Sequence, residues 1–167
     1  MRGKKINFLK DIYIMSHINR WSTIFTIRKE SVAEHSFHVA AIVMNLRDDY
    51  DFNLGTALAM AICHDMPEIE LNDVPRVIKK KYPTIDQAFQ VCEEEVIEML
   101  PYWCRASCKA YARNDSIEAS IVHLADAMQC MQYAEVEINL GNHNYFDQVF
   151  VISNERIQEL KNYLKGD

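Results

Sequence analysis

Glycine and proline are scarce in this chain, with four of each among 167 residues. Together they make up well under half of the usual share of about 12% in a soluble domain. Sandwiches and barrels join many short strands through turns rich in these residues, so the scarcity argues against both folds. No segment shows convincing period-two alternation, whereas several show apolar residues at helical spacing. The sequence therefore predicts an all-α fold of long helices with few breaks.

The length and the apolar content indicate one compact domain, which we expect to span residues 1–167. A chain of this size buries about two-thirds of its unfolded surface, and 49% of its residues are apolar. No stretch approaches the roughly 20 uninterrupted apolar residues that cross a bilayer. The basic start resembles the first part of a signal peptide, but Asp11 and His17 interrupt its apolar run. We therefore expect a soluble protein without a membrane partner.

The charge and the cysteines narrow the expected partners and compartment. The net charge is −6, and the only basic run is Lys79-Lys80-Lys81. Nucleic-acid-binding domains usually show the reverse balance or a dense basic stripe, so we expect no nucleic-acid partner. The five cysteines include no CxxC pair, and scattered thiols favour the reducing cytoplasm. We expect a cytoplasmic protein, in the host cytoplasm if the gene belongs to a phage.

Helix boundaries follow from capping and breaking residues. Ser31 and Glu34 have the spacing of a capping box. Asn53 is predicted to cap the next helix, which Pro67 ends. The predicted helices cover about residues 4–16, 31–47, 54–65, 84–100, 102–113, 116–140 and 146–164, with a loop or extended segment over 18–29. The apolar pattern also predicts buried faces. It assigns Ile6, Leu9, Ile12 and Tyr13 to one face of the first helix and Phe37 to that of the second.

Helices that should be buried carry charged or imidazole side chains. His64 and Asp65 follow the most apolar run of the chain, ALAMAIC, and Asp126 lies within SIVHLADAMQCM. His35 lies near an apolar face of the helix over 31–47. Each has an ordinary explanation when taken alone, since a buried histidine is more often a hydrogen-bonded core residue than a ligand. Together, two imidazoles and two carboxylates are the set that a mononuclear divalent metal site needs.

The order of His35, His64-Asp65 and Asp126 in an all-helical chain resembles the HD-domain metal phosphohydrolases. INRWSTIFTIRKESVAEHSFHVA is similar to the entry segment of their bacterial 5′-deoxynucleotidase branch, and HDMPEIELNDVP to that branch's HD-x-x-E-x-x-x-x-D-x-P pattern. One departure is Met66-Pro67, where small residues are commoner. The resemblance covers residues about 15–80 and the region near Asp126, and it implies a single-domain HD-type helical bundle.

The resemblance implies that His35, His64, Asp65 and Asp126 bind a divalent metal ion. Mixed nitrogen and oxygen ligands suit Co²⁺, Mn²⁺ or Zn²⁺ better than Mg²⁺, which prefers oxygen alone. Such an ion would polarise a phosphoryl oxygen and lower the pKa of a bound water. It would also allow an acidic protein to bind an anionic substrate, because local charge matters more than net charge.

Three residues match the remaining positions of the second pattern. The resemblance gives Glu68 the catalytic role of handling a proton near the attacking water or the leaving oxygen. It implies that Asp73 lies near the sugar, where its carboxylate could accept a hydrogen bond from the 3′-hydroxyl. A pocket closed around that position would leave no room for a 2′-hydroxyl and would favour deoxyribose. It implies that Pro75 packs against the base.

Arg20, Trp21 and Lys79 complete the expected substrate site. The guanidinium of Arg20 suits a phosphate group, and Trp21 offers a flat apolar face to a sugar or base, although a tryptophan is by default a core residue. Lys79 is the basic residue that the family pattern places best for contact with phosphate oxygens.

Two reactions fit this site, and the motifs do not choose between them. A 5′-deoxynucleotidase would release phosphate from a deoxynucleoside monophosphate, and a triphosphohydrolase would release triphosphate from a deoxynucleoside triphosphate. Both break the bond between the 5′-oxygen and the α-phosphorus. Some short phage members of the branch are dATP triphosphohydrolases, and Arg76 with Lys79–Lys81 could bind the added phosphates. We expect a purine deoxynucleotide, with dATP favoured among the triphosphates.

A different class of function is a catalytically silent HD-fold module that binds a metal or a nucleotide and regulates a partner. The presence of all four ligand positions and Glu68 argues against it. The resemblance also implies a homo-oligomer, a dimer or a larger ring. The helix over 146–164, with Phe150, Ile152, Ile157 and Leu160, could supply its interface.

Overall fold

The computed structural model describes residues 6–74, 79 and 81–166. The helices are α1 (Phe8–Asp11), a 3₁₀ helix (Ile12–Ser16), α2 (Val32–Leu46), α3 (Leu54–Cys63), α4 (Glu68–Leu71), α5 (Pro83–Met99), α6 (Tyr102–Arg113), α7 (Ile117–Asn139) and α8 (His143–Lys165). The β-structure of these described ranges is limited to one isolated bridge between Asn19 and Ser31. The predicted all-α fold is confirmed. No helix in the described part is long and apolar enough to cross a bilayer.

Side chains fix the start of three long helices. Ser31 and Glu34 form a reciprocal capping box, in which each side chain accepts the backbone N–H of the other. Asn53 and Ser116 cap α3 and α7 by accepting backbone N–H groups of the first turn. Each such cap is worth about 1 kcal/mol. The predicted starts of these helices are therefore correct, and their positions along the chain are well defined.

Three of these helices meet at the centre of the fold. Helices α2, α3 and α7 pack against one another, and α8 returns along α7 as the second half of a helical hairpin. Their shared core contains Val39, Val43, Met60, Ala61, Ile121, Val122, Leu124, Ile157 and Leu160. Because the polar residues of interest lie on or directly after α2, α3 and α7, this core holds them in fixed relative positions.

The predicted N-terminal helix is divided in two, and only half of its predicted face is inward: Ile6 is buried and Ile12 packs against the core. The described part of the range 4–16 forms one turn of α-helix followed by a 3₁₀ helix. Leu9 and Tyr13 are 82% and 74% exposed, whereas Met15 is buried. A 3₁₀ helix has 3.0 residues per turn, so a face drawn at 3.6 residues per turn does not persist along it.

Two further expectations about side-chain burial are corrected. Phe37 is 69% exposed, because it follows the inward-facing His35 by two residues and so points about 200° away around α2. On α8, Ile157 and Leu160 are buried in the core of their own chain. They are therefore unavailable to an intersubunit surface, and of the four residues expected there only Ile152 is well exposed.

Candidate metal centre

The four predicted metal ligands converge at the centre of the fold. His35 lies on α2, His64 and Asp65 directly follow α3, and Asp126 lies on α7. The Nε2 atom of His35 is 3.2 Å from Nε2 of His64. It is 3.3 Å from Oδ2 of Asp65 and 3.3 Å from Oδ1 of Asp126. Residues up to 91 positions apart in sequence thus place their polar atoms within contact of one another.

The spacing of these atoms fits a single metal ion. Two ligands that each lie about 2.1 Å from an ion stand about 3.0 Å apart at an octahedral angle and about 3.4 Å apart at a tetrahedral one. The ligand atoms of His35, His64 and Asp126 all lie within 4.8 Å of one another. Oδ2 of Asp65 joins them at 3.3 Å from both imidazoles. The two buried imidazoles and two carboxylates are a donor set suited to Zn²⁺, Co²⁺ or Mn²⁺.

The electrostatics of the cluster also favour a bound cation. Burial would raise the pKa of Asp126, but the His35 ring and the nearby His64 lower it to about 2. Burial acts in the same direction on Asp65, where His64, His35 and Arg20 hold the pKa below its usual range. Burial would lower the pKa of His64, but Asp65 and Asp126 raise it to about 9. The two carboxylates are therefore ionised at neutral pH, and they attract positive charge to the imidazoles between them.

Glu68 begins α4, three residues after Asp65. Its Oε2 atom is buried and makes no hydrogen bond to a described residue. Burial raises the pKa of Glu68 to about 10, and the charges of Asp65 and Asp73 add to this effect while Arg20 and Lys79 oppose it. A buried carboxyl group that keeps its proton at neutral pH has the property that a general acid needs.

Arg20 lies beside the imidazole of His35, on the side away from the converging ligand atoms. Its NH1 atom is 2.5 Å from Nδ1 of His35, 3.0 Å from Oε1 of Gln129 and 3.3 Å from Oε2 of Glu30. The Nε and NH2 atoms donate no hydrogen bond to any described residue. NH1 therefore anchors the arginine, and the guanidinium also lies over the Trp21 ring, with Cζ 5.5 Å from the ring centroid.

Trp21 is held in a turn by Asp73. The backbone of Trp21 has a positive φ of 61°, a conformation that costs a non-glycine residue about 1 kcal/mol. Its N–H donates to Oδ2 of Asp73 at 3.0 Å. Its ring stacks on Tyr133 with centroids 5.7 Å apart and meets Phe146 edge-on. Trp21 is therefore half-buried against this aromatic cluster, and its buried Nε1 has no hydrogen-bond partner among the described residues.

The remaining predicted substrate residues are Lys79 and Pro75. Nζ of Lys79 lies 4.8 Å from the centroid of the Phe89 ring. Burial raises the pKa of both Glu68 and Asp73, and the nearby charge of Lys79 partly opposes that effect. Pro75 lies outside the described residues, as do Arg76 and Lys80, so only Lys79 of this segment can be related to the cluster.

Sequence reasoning missed three residues around the two imidazoles. Oε1 of Gln129 is 2.7 Å from Nδ1 of His35, and the Gln129 amide nitrogen donates to Glu30. The ring of Tyr111 lies 5.2 Å from that of His64. Gln129 carried a signal, because it is a polar residue one turn beyond a predicted ligand in an apolar stretch. Glu30 carried none, since it lies in an irregular segment just before the α2 cap.

Comparison with known proteins decides the family. A sequence model of the YfbR-like 5′-deoxynucleotidases matches residues 7–165. The chain belongs to this family. The match includes the C-terminal third, where the motifs had shown no resemblance. This YfbR-like protein is therefore a hydrolase of the HD-domain phosphohydrolase class, and the interpretation as a catalytically silent module is not favoured.

Named relatives agree with this assignment. The 5′-deoxynucleotidases of Erwinia tasmaniensis and Yersinia pestis (strain Pestoides F) are each 28% identical to the YfbR-like chain over 155 residues. The aligned region covers 83% of this chain and 77% of each relative.

Solved structures show that the fold is of the HD type. An HD-domain phosphohydrolase from Listeria innocua is 22% identical, with a TM-score of 0.74 over 98% of this chain and 86% of the other. A Pyrococcus horikoshii protein is 25% identical, with a TM-score of 0.77 over 95% of this chain and 94% of that protein. The cyanophage S-2L HD phosphohydrolase DatZ is 16% identical, with a TM-score of 0.66 over 98% of this chain and 99% of DatZ. Its structure has dA and one catalytic Zn²⁺ ion bound.

Proposed function

We propose that the chain is a metal-dependent phosphohydrolase that cleaves the 5′-O–Pα ester of 2′-deoxynucleotides and releases the deoxynucleoside. The observation that carries the proposal is the cluster of ligand atoms of His35, His64 and Asp126, with Asp65 at 3.3 Å from both imidazoles. The buried carboxyl of Glu68 lies three residues beyond Asp65. The names of the sequence relatives and the deoxyadenosine bound to DatZ support a deoxynucleotide substrate.

His35, His64, Asp65 and Asp126 would hold the metal ion. The ion would polarise a phosphoryl oxygen and lower the pKa of a bound water. Zn²⁺ in DatZ supports zinc, and the donor set suits Co²⁺ and Mn²⁺ as well. A soft-sulfur metal site is not expected here, because no cysteine belongs to the cluster.

Glu68 is the proposed catalytic acid. Its carboxyl group holds a proton in a buried position, and the leaving 5′-oxygen of the deoxynucleoside needs one when its bond to phosphorus breaks. Glu68 donates that proton and recovers one from the attacking water as the water oxygen bonds to phosphorus. The reaction therefore consumes one water and produces the deoxynucleoside and the free phosphate or triphosphate.

Cations and polar groups around the cluster form the proposed substrate site. Arg20 binds a phosphate oxygen through Nε and NH2, and Lys79 binds another from the side of Glu68. Oδ2 of Asp73 accepts the Trp21 N–H, and the other carboxylate oxygen accepts a hydrogen bond from the 3′-hydroxyl of the sugar. The turn at Trp21 limits the space beside the C2′ atom of the sugar. This arrangement would favour 2′-deoxyribose, and Pro75 would then contact the base.

The number of phosphates on the substrate stays open. The positive charges of Arg20 and Lys79 are sufficient for a monophosphate. A triphosphate adds negative charge, which the basic residues 76–81 would balance. We propose a purine deoxynucleotide, dAMP or dATP, in accordance with the dA that DatZ binds.

A product assay tests the function. The metal-free chain is supplied with Co²⁺, Mn²⁺ or Zn²⁺ and offered dAMP, dATP, dGTP, dCTP, dTTP and ATP separately. Chromatography detects the nucleoside, and phosphate detection with and without pyrophosphatase distinguishes phosphate from longer leaving groups. Deoxyadenosine with phosphate from dAMP identifies a nucleotidase, and deoxyadenosine with triphosphate from dATP a triphosphohydrolase. If the protein binds the metal but forms no nucleoside from any of these substrates, the proposal is overturned.

We also propose a cytoplasmic homo-oligomer, a dimer or a larger ring. Light scattering of the purified chain at micromolar concentration tests the assembly, and a monomer there would overturn it. The exposed Val151 and Ile152 of α8 are the apolar residues that such an interface could still use.

A further inference from the structure

The side of His35 that faces away from the metal centre contacts a buried polar chain. Oε1 of Gln129 lies 2.7 Å from Nδ1 of His35. The Gln129 amide nitrogen donates to Oε1 of Glu30 at 2.6 Å. Gln129 and Glu30 are 3% and 1% exposed, so water does not compete for these hydrogen bonds. His35, Gln129 and Glu30 therefore form one continuous chain of hydrogen bonds, which we call the His35 relay.

The neighbours of Gln129 fix the orientation of its amide group. NH1 of Arg20 can only donate, and it lies 3.0 Å from Oε1 of Gln129. The Glu30 carboxylate accepts from Arg20 and from the Gln129 amide nitrogen, so this nitrogen faces it. An amide flipped by 180° would place two donors together on one side and two acceptors on the other. The acceptor oxygen of Gln129 is therefore held toward His35.

This oxygen matters because Nδ1 of His35 has two neighbours of opposite character. NH1 of Arg20, a donor, is 2.5 Å away, and Oε1 of Gln129, an acceptor, is 2.7 Å away. The first requires a bare Nδ1 and the second a protonated one. An imidazole that binds a metal through Nε2 carries its hydrogen on Nδ1. Only Gln129 can accept that hydrogen.

We propose that Gln129, held by Glu30, is the positioning residue that keeps His35 in the Nδ1–H tautomer and so presents Nε2 to the metal ion. The inference rests on the proposed metal centre. Partners of this kind, one shell behind a ligand, typically change metal affinity by about 10- to 100-fold when they are removed. Here a neutral amide contacts the imidazole, and the carboxylate lies one residue further away.

The test measures the affinity of the full chain for Co²⁺ alone, by absorbance titration of the metal-free protein. Q129M keeps the volume of the side chain and removes both hydrogen bonds, so we expect affinity to fall by about 10- to 100-fold. Q132M is the matched control, because it makes the same change three residues later on α7 at an exposed position. Its affinity should stay within about twofold of the unsubstituted chain, because Gln132 is exposed and hydrogen-bonds neither His35 nor Glu30 in the described residues.

A double variant separates the hydrogen bond from packing. E30Q/Q129E exchanges the amide and the carboxylate within the His35 relay, so the acceptor toward His35 and a donor behind it are both retained. Net charge is unchanged, and Arg20 still meets a carboxylate. We expect E30Q/Q129E to bind Co²⁺ at least about tenfold more tightly than Q129M. An equal affinity of these two variants would overturn the proposal, because packing alone would then explain Q129M.

The unsubstituted chain provides a test that does not depend on any variant folding. In ¹⁵N NMR of the protein loaded with Zn²⁺ alone, His35 should carry its hydrogen on Nδ1 and bind through Nε2. The opposite tautomer would overturn the inference. Equal Co²⁺ affinity of Q129M and Q132M, both folded by circular dichroism, would also overturn it and leave the metal centre standing. A chain that binds neither metal would overturn the metal centre and, with it, this inference.

Discussion

Helix α7 carries two acidic side chains with opposite surroundings. Glu137, near its end, is fully buried. Its carboxylate accepts hydrogen bonds from the backbone N–H groups of Ile27 and Arg28 at 2.9 and 2.7 Å and from the Asn142 amide at 2.6 Å. Asp126, nearer the middle, faces imidazole Nε2 of His35 and the cluster around it. One carboxylate is surrounded by backbone and amide donors, and the other lies among side chains that can themselves bind a metal ion.

The difference separates a structural acid from a ligand. Burial would raise the pKa of Glu137, but the hydrogen bonds from Asn142 and from the two backbone amides lower it. The protein itself thus compensates the charge of Glu137, which fastens the segment after Trp21 to α7. The charge of Asp126 is instead offset by the imidazoles of His35 and His64, which are themselves candidate ligands of a metal ion. A buried charge therefore indicates a metal centre when its neighbours are further ligands rather than donors.

The largest expected effect is the loss of activity when the negative charge of Asp126 is removed. D126N should reduce phosphohydrolase activity by more than about 10³-fold, because activation of the attacking water depends on the ion. The free energy of unfolding in the presence of a chelator should also fall, because the interactions of the ionised carboxylate with His35 and His64 are lost. Product assays and thermal unfolding check both results. Activity near that of the unsubstituted chain would remove Asp126 from the site.

Glu68 should separate chemistry from metal binding. E68Q keeps the shape of the side chain and removes the proton that it donates, so we expect the turnover rate to fall by about 10²- to 10⁴-fold. The bound metal should be retained, because Glu68 is not among the converging ligands. Single-turnover assays and metal analysis of the same sample measure the two quantities. Turnover close to that of the unsubstituted chain would assign the proton to another group.

Substitution of Glu137 should lower the free energy of unfolding and leave metal binding unchanged. E137Q places an amide where three donors converge, and we expect the free energy of unfolding to fall by about 1–3 kcal/mol. For a chain of this size this lowers the Tm by roughly 2–12 °C. Affinity of the folded protein for Co²⁺ should be unchanged. A large loss of metal affinity without a change in Tm would contradict the distinction between the two acids.

The smallest effect is a pH dependence of that stability difference. The folded-state pKa of Glu137 is lowered, so its contribution is fully present above the unfolded pKa of about 4.3 and is lost as the pH falls through the folded value. The difference in unfolding free energy between the unsubstituted chain and E137Q should therefore be constant near neutral pH and shrink below about pH 4. Urea unfolding across this range measures it. A difference that grows on acidification would show the opposite sign of pKa shift.

The candidate ligands could be singled out in the sequence because each was unusual in its own helix. His64-Asp65 and Asp126 are polar groups in apolar runs, and helical spacing is a local property. The His35 relay could not be predicted in the same way, since Gln129 and Glu30 lie 99 residues apart and meet only after α7 packs beside the segment preceding α2.

The environment of Trp21 shows the same limit. Its flat ring suggested a substrate contact, but the partners that cover it, Tyr133 and Phe146, come from α7 and α8. The exposure of Leu9 and Tyr13 has a different cause, because the sequence pattern did not reveal that the helix changes to 3₁₀ geometry. Local spacing thus predicts helices and polar exceptions, and tertiary packing decides what each exception contacts.

Equilibrium dialysis against Zn²⁺ tests the central claim most directly, with the unsubstituted chain, D126N and E137Q in parallel. The claim predicts a single tightly bound ion per chain in the unsubstituted protein and in folded E137Q, and none at the same free Zn²⁺ concentration in folded D126N. Equal binding by D126N and the unsubstituted chain, or loss of the ion in E137Q alone, would contradict it.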